Sequence, residues 1–417
     1  MRLINPKLAI ALGGLTLVLA SACSNDTGST TGALVTGRVE GEGAGSTVRA
    51  YSVENDGELA LVSGGAQVDA DGRYALRVDP IATTSIVIVR VEDGSGRMVA
   101  TSRAAVEAVG EGELVLAPID AETTFAASVE IEMEARGDVM AEEHALTELF
   151  LAPGLSRALA TSDASVRETA RAVSEANATF REGLAYGGGD LDVVLDGALE
   201  AQTQFDAELD GNTDPAQVTA RYAAYVDAVI GVTEDAGYSM REVAIATLSA
   251  SSVLESRLGA EAGSAYATLD VTAAYAVTGA VEASIGDIVD GSDLSAAGDT
   301  LRDELITLSA EGGARADVDA AWARYNAAVN AQIESSLGLA GSVLTGVIAD
   351  IETARATLLA AWGELSASAS ARIEATLAFL ASVESSVHLE VLAGAGLDSE
   401  RASATLEALA IVSLSTR

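Results

Sequence analysis

The spacing of apolar residues changes once along this chain, near Pro118, and that change limits the fold more than any other feature. Before it, from residue 33, short β-prone runs alternate with turn signals. The runs are Leu34 to Glu40, Thr47 to Val53, Leu59 to Val62, Tyr74 to Val78, Ser85 to Glu92, Met98 to Ser102 and Glu113 to Leu116. Their separators include Asn55-Asp56-Gly57, Asp71-Gly72 and Asp93-Gly94. Asp-Gly between apolar runs signals a hairpin, because a type I′ turn needs positive φ at both central residues. Strands this short and this evenly spaced predict a small antiparallel β-sandwich over 33–118. After Pro118 the apolar residues recur every three or four positions, which predicts a larger all-α helical-bundle domain over 119–417. The expected class is multi-domain α+β.

The helical half is punctuated clearly. Asp120-Ala121-Glu122 after Pro118 reads as a helix start, with Phe125, Val129 and Met133 on one face, although Phe125 to Met133 also alternates like a strand. Pro153-Gly154 breaks a segment, Ser162 or Asp163 can cap the next, and Gly187-Gly188-Gly189 ends it. Asp214-Pro215 is a capped start with proline in the first turn. Gly237, Gly259, Gly263 and Gly291 mark expected helix ends. Val218, Tyr222, Tyr225, Val226 and Val229 form one stripe. Val318, Trp322, Tyr325, Val329, Ile333 and Leu337 form a second, and Ile373, Leu377, Leu380, Val383 and Val387 a third. Such stripes are core-facing by default. About a fifth of the residues are alanine and only 4% are aromatic, so helices are expected to approach closely rather than pack through large rings.

An internal match runs at an offset of 103. Asp214, Ala220-Arg221-Tyr222, Ala224, Val226, Ala228 and Ile230 align with Asp317, Ala323-Arg324-Tyr325, Ala327, Val329, Ala331 and Ile333. Upstream, Asp190-Leu191 and Ala207-Glu208 align with Asp293-Leu294 and Ala310-Glu311. The expected unit is three or four helices, present twice, at 190–290 and 293–394; chance agreement in an alanine-rich background is the alternative.

At the N-terminus, Arg2 and Lys7 precede an apolar run from Leu8 to Ala20, followed by Ser21, Ala22 and Cys23. The run is too short to span a bilayer, and with its charged start and small-residue end it reads as a signal peptide over 1–22. Leu19-Ala20-Ser21-Ala22-Cys23 resembles the lipobox of bacterial lipoproteins, in which signal peptidase II cuts before a cysteine whose thiol becomes diacylated. The commonest pattern has leucine three residues before the cysteine; here Ala20 holds that place and Leu19 precedes it. The resemblance implies lipidation at Cys23 and a lipid bilayer as partner, since each buried methylene adds about 0.8 kcal/mol. Residues 23–32 then form a flexible polar tether. Ser24, not aspartate, follows Cys23, and in Gram-negative lipoprotein sorting that implies the outer membrane of the cell envelope.

Gly37-Arg38-Val39, Val48-Arg49-Ala50-Tyr51 and Val68-Asp69-Ala70-Asp71-Gly72-Arg73-Tyr74 occur in that order. They resemble the carboxypeptidase-regulatory-like, prealbumin-like sandwich, over about a fifth of the chain. That resemblance implies a non-catalytic accessory or spacer module. Asp69-x-Asp71-Gly72 has two readings: a hairpin whose aspartates satisfy local N–H groups, or the start of a calcium loop with Asp69 and Asp71 as ligands. Position twelve from Asp69 is Pro80, where an EF-hand would carry a bidentate glutamate.

The net charge is −38, from 24 basic and 62 acidic residues. Without residues 1–22, which carry Arg2 and Lys7, it is 22 − 62 = −40, and every remaining strong cation is arginine. A surface of that sign excludes nucleic acid as a partner. It suits a protein working in salt, where screening permits dense like charge, while a GC-rich codon bias would also favour Ala, Gly and Arg. One cysteine excludes an internal disulfide framework or a thiolate zinc cluster. The two histidines are His144, near Glu148, and His388, with no His-x-x-x-His pairing. There is no Gly-x-Ser-x-Gly elbow, and a mature chain without lysine has no phosphate loop. No membrane span is expected beyond the signal; Ser335 to Ala349 is too short and Gly-rich.

The expected function is therefore a membrane-anchored cell-envelope lipoprotein, a non-enzymatic binding or structural module for an envelope protein or polymer, with no cofactor unless calcium. The alternatives are a calcium-dependent adhesion or envelope-assembly factor, and a hydrolase whose site the sequence hides.

Overall fold

The structure, a computed structural model, describes residues 32–40, 45–53, 58–78, 86–105, 113–116, 118–136, 159, 165–209, 215–262, 265–364 and 368–415. The N-terminal region contains β1 (Ala33–Arg38), β2 (Thr47–Val53), β3 (Leu59–Leu61), β4 (Ala66–Gln67), β5 (Arg73–Val78), β6 (Ile86–Glu92), β7 (Met98–Ala105) and β8 (Glu113–Val115). They form two sheets, one in the order β5-β1-β8 and one in the order β3-β2-β6-β7, with β4 also paired to β2. The expected runs match these strands within a few residues, and β4 is the addition.

Period-two burial orients each strand. Along β5 exposure alternates strictly, with Tyr74, Leu76 and Val78 buried and Arg73, Ala75 and Arg77 exposed. Val35 of β1, Val48 and Ala50 of β2, and Val87, Val89 and Val91 of β6 join them in one apolar cluster fed by both sheets. Burying each of these Val or Leu side chains contributes about 1.5–3 kcal/mol. One expectation is corrected: the sheets are not wholly antiparallel. β1 pairs antiparallel with β5 but parallel with β8, in the register Leu34↔Glu113 to Thr36↔Val115. Strand direction depends on how the intervening chain returns, which local periodicity does not encode.

Helices follow: α1 (Ala121–Arg136), α2 (Val166–Ala185), α3 (Leu191–Leu209), α4 (Pro215–Asp235), α5 (Met240–Leu258), α6 (Ala265–Ile285), α7 (Gly291–Glu311), α8 (Arg315–Leu337), α9 (Gly341–Trp362), α10 (Ala369–Val383), α11 (Ser386–Gly394) and α12 (Ser399–Ser415). The ambiguous run after Pro118 is helical. Helix α1 packs against both β7 and α2. Thr124 Oγ1 accepts the Thr101 N–H of β7 at 3.1 Å, so one side chain ties the sheet to the helices.

Helix α6 is the centre of the bundle, buried along most of its length and packed against α5, α7, α8 and α12. Small residues permit this. A Cβ added to Gly183 of α2 would lie 2.8 Å from the Ala246 Cα of α5, so these two helices touch backbone to backbone. Core hydroxyls turn back onto their own helix, as Thr233 Oγ1 does to the Val229 carbonyl at 2.6 Å and Thr376 Oγ1 to that of Arg372 at 3.0 Å. These bonds let Ser and Thr occupy an interior poor in large apolar side chains.

The first two stripes face the core. Tyr222, Tyr225, Val226 and Val229 are buried, as are Val318, Trp322, Tyr325, Val329 and Ile333. The third holds through Val383 and fails at Val387, which is 63% exposed. Helix α10 ends at Glu384 and α11 starts afresh from the Ser385 cap, so the phase resets between Val383 and Val387. Gly291 also differs from expectation: it opens α7 behind the cap residue Asp290, whose Oδ1 accepts the Ser292 N–H. Ser335 to Ala349 is not one helix: α8 stops at the left-handed Gly338 and α9 restarts at Gly341. The stretch Ala369–Gly394 is long and apolar enough to cross a membrane by composition, but it contains the α10–α11 break and puts Ile373, Phe379 and Leu380 into the interior.

Successive helices start 100 to 104 residues apart in the two segments that match in sequence. Helices α3, α4, α5 and α6 occupy the first, and α7, α8, α9 and α10 the second. In each, the first helix packs on the second and the third on the fourth.

Candidate functional site

Cys23, the apolar run before it, the polar run 24–31 and His144 lie outside the described residues. Asp69 and Asp71 lie within them, at the turn before β5. The Asp69 N–H donates to the Arg73 carbonyl at 2.9 Å and the Gly72 N–H to the Asp69 carbonyl at 3.1 Å. Asp69 Oδ1 accepts the N–H groups of Asp71 at 2.9 Å and Arg73 at 2.8 Å. Gly72 sits at φ +78, and a Cβ there would meet the Val39 carbonyl oxygen at 2.7 Å.

The β6–β7 turn has the same construction. The Asp93 N–H reaches the Arg97 carbonyl at 2.9 Å, and Asp93 Oδ1 accepts from the N–H groups of Ser95 at 2.9 Å and Arg97 at 3.0 Å. Here the positive φ, +80, belongs to Gly96 rather than Gly94. Both turns therefore follow Asp-x-x-Gly-Arg, with the aspartate as an internal cap. This corrects the two-residue Asp-Gly expectation in type while keeping its place. The Ser95 hydroxyl, then the Arg97 and Ser95 N–H groups, lower the Asp93 pKa to about 2.

Asp69 Oδ1 is thus engaged by backbone in the way the hairpin reading requires. Asp71 is exposed and lines a hollow of about 660 Å³ with Glu40, Arg38 and Arg73. Arg38 and Arg73 are direct cross-strand partners. Two guanidinium groups flank the carboxylates a divalent ion would need, and among the described residues no group of three or more His, Cys, Asp or Glu side chains is placed to hold a metal.

Ionised groups inside the helical region link helices. The Trp322 indole N–H donates to Asp270 Oδ2 at 2.9 Å. Arg315 stacks on the Tyr266 ring at 4.5 Å and donates to Glu255 at 2.8 Å and Asp319 at 2.7 Å. Burial pulls the Arg315 pKa down, but Glu255, Asp319 and Asp270 outweigh it and hold the pKa above its usual value. Arg257 of α5 donates from Nε to the buried Glu175 of α2 at 2.7 Å. His388, the second histidine, places Nδ1 2.9 Å from the Val383 carbonyl and Nε2 3.7 Å from Asp350. Its neighbours tie α11 to α10 and α9, and the Ser385 hydroxyl lies 3.4 Å from the same Nδ1. Burial, with Glu282 adding to it, pushes the Tyr325 hydroxyl pKa up, so this phenol stays neutral.

A groove of about 310 Å³ opens between α8, α9 and α12. Ile348, Ile351, Leu409 and Val412 give it an apolar floor. Asn326 and Asn330, one turn apart on α8, and Glu352 on α9 supply polar atoms. Asn326 Oδ1 accepts from Ser415 Oγ at 3.5 Å, and Glu352 Oε2 accepts from Arg355 Nη1 at 2.8 Å. Asn330 Oδ1 is buried without a hydrogen-bond partner among the described residues. Sequence reasoning missed this groove. Asn326 and Asn330 flank the Trp322–Ile333 stripe at helical spacing, but no local signal says that α9 and α12 converge there.

Two smaller clefts occupy matching places in the two segments that match in sequence. One, of about 60 Å³, lies between α3 and α4 beside Arg221; the other, of about 200 Å³, lies between α7 and α8 beside Arg324. These are the arginines of the two Ala-Arg-Tyr triplets.

No protein-family model, no curated protein and no solved structure matches the chain.

Proposed function

We propose that this chain is a membrane-anchored cell-envelope lipoprotein, acylated at Cys23, whose helical region serves as a non-enzymatic binding or structural module. One observation carries the reading: the chain's single cysteine directly follows a charged, then apolar, then small-residue N-terminus. Ser24 in the next position favours the outer membrane. The tether from Cys23 to Ala33, ten residues, extends to at most about 35 Å. A folded unit on such a tether stays within reach of the bilayer surface while clearing the headgroups.

In this reading the β-region is a sandwich of the carboxypeptidase-regulatory-like type and acts as a spacer, supported by its two sheets on one core. The helical region is a tandem duplication of two helix pairs, supported by helix starts 100 to 104 residues apart, the matching helix pairing and the paired clefts beside Arg221 and Arg324. The partner is an envelope protein or polymer, met by the helical surfaces.

The test is fractionation of cells carrying the full chain or its Cys23→Ala variant. The native chain should pellet with membranes and partition into detergent, and the variant should appear in the soluble fraction. Equal partitioning of both would remove the anchor from the reading.

A further inference from the structure

We propose that the groove between α8, α9 and α12 binds a small amphiphile with a protonated amine head and a short apolar body. The proposal deepens the binding-module reading and rests on its claim that the helical region captures a ligand. It does not depend on acylation of Cys23.

Three observations converge on this class. First, the floor is apolar and belongs to three helices, with Ile348 and Ile351 from α9 and Leu409 and Val412 from α12 facing α8. A volume of about 310 Å³ is at the small end for ligand sites, which suits a body of roughly six to eight heavy atoms rather than a long lipid chain. Second, the polar wall has acceptors to spare. Asn330 Oδ1 is buried and lacks a donor among the described residues, and a buried carbonyl left so is unfavourable until one arrives. Glu352 Oε2 takes Arg355, and the Glu352 side chain is partly exposed where it lines the groove. An ammonium head carries three N–H donors and no acceptor, the complement of such a wall. Third, the charge agrees. Glu352, paired with Arg355, is the one charged side chain among the described lining residues, and the chain's overall charge of −38 repels an anionic head and attracts a cationic one.

The geometry also sets the orientation. The head would lie between Asn330 and Glu352, and the body would run over Ile351 towards Val412. Ala323 and Ala327, both exposed on α8, form the wall across from it. Their small side chains keep the groove open.

The test is calorimetric titration of the full chain with hexylammonium, with hexanol and hexanoate as probes of equal length. Hexylammonium should bind about tenfold or more tightly than hexanol, and hexanoate should give no binding heat, because a hydrogen bond to a charged group is worth roughly 1.5–3 kcal/mol. Ala327→Trp should abolish binding by filling the groove, and Asn330→Leu and Glu352→Gln should each weaken it several-fold. Far-ultraviolet circular dichroism identifies any variant that fails to fold, and Glu352→Gln, at a partly exposed position, keeps the test decisive if the larger changes do. Hexanol binding as tightly as hexylammonium overturns the amine head. Unchanged affinity in both Ala327→Trp and Glu352→Gln overturns the location. No heat from any probe up to about 10 mM overturns the site itself, whereas release of Cys23→Ala from membranes would still support the anchored reading.

Discussion

The indole N–H of Trp322 donates to the carboxylate of Asp270 at 2.9 Å, joining α8 to α6 where both side chains are buried. A fully buried carboxylate is costly unless its oxygens are engaged. Here the bond also fixes α8 against the central helix. Trp322→Phe removes the donor while keeping most of the ring's volume. It should destabilise the protein by about 1–3 kcal/mol, read as a lowered midpoint in urea unfolding followed by helical circular dichroism. An unchanged midpoint would mean that the bond does not hold α8 in place.

Asp93 gives a pH dependence with a defined sign. Its pKa falls from 3.8 to about 2 because the folded turn donates hydrogen bonds to its charged form. A group whose pKa is depressed by folding contributes stability above its unfolded value and loses it as pH falls through the folded value. The stability difference between native protein and Asp93→Asn should therefore be constant above about pH 5 and shrink between pH 4 and pH 2. A carboxyl resonance for Asp93 titrating near 4 by NMR would contradict the turn geometry.

Close helix approach predicts opposite outcomes for two glycines. A Cβ at Gly183 would lie 2.8 Å from the Ala246 backbone, whereas one at Gly231 of α4 would meet nothing within 4 Å. Gly183→Ala should cost about 1–3 kcal/mol as α2 and α5 are forced apart. Gly231→Ala should stabilise by up to about 1 kcal/mol through helix propensity. Both are read from urea midpoints, and equal shifts in the two variants would refute the backbone contact.

The net charge of −38 makes stability depend on salt. Dense like charge opposes compaction, and counter-ions screen it, so the melting temperature should rise as NaCl goes from millimolar to about molar. A flat response would assign the acidic composition, lysine-free beyond residue 22, to codon usage rather than to a saline setting.

How far these features were legible in the sequence follows from their range. Strand placement was legible because Asp69–Arg73 and Asp93–Arg97 close their turns within five residues. The buried faces of α4 and α8 were legible because Tyr222 to Val229 and Val318 to Ile333 keep helical spacing within one uninterrupted helix. Val387 was misassigned because the α10–α11 break resets the phase, and the cue, Ser385 as a cap, is a single residue. The parallel pairing of β8 with β1 and the groove at Asn326 and Asn330 join segments more than 70 residues apart, or three helices at once. Spacing along the chain cannot express contacts of that range. The lone cysteine is the opposite case, since the proposed cleavage and acylation signal is linear, lies wholly in residues 2–24 and is read from the sequence alone.

Acylation at Cys23 is tested most directly by intact mass and peptide mass spectrometry of the protein purified from membranes. The anchored reading requires a mature chain that begins at Cys23 and carries a diacylglyceryl group on its sulfur. A mature chain that begins elsewhere, or a Cys23 thiol that is free, would contradict it.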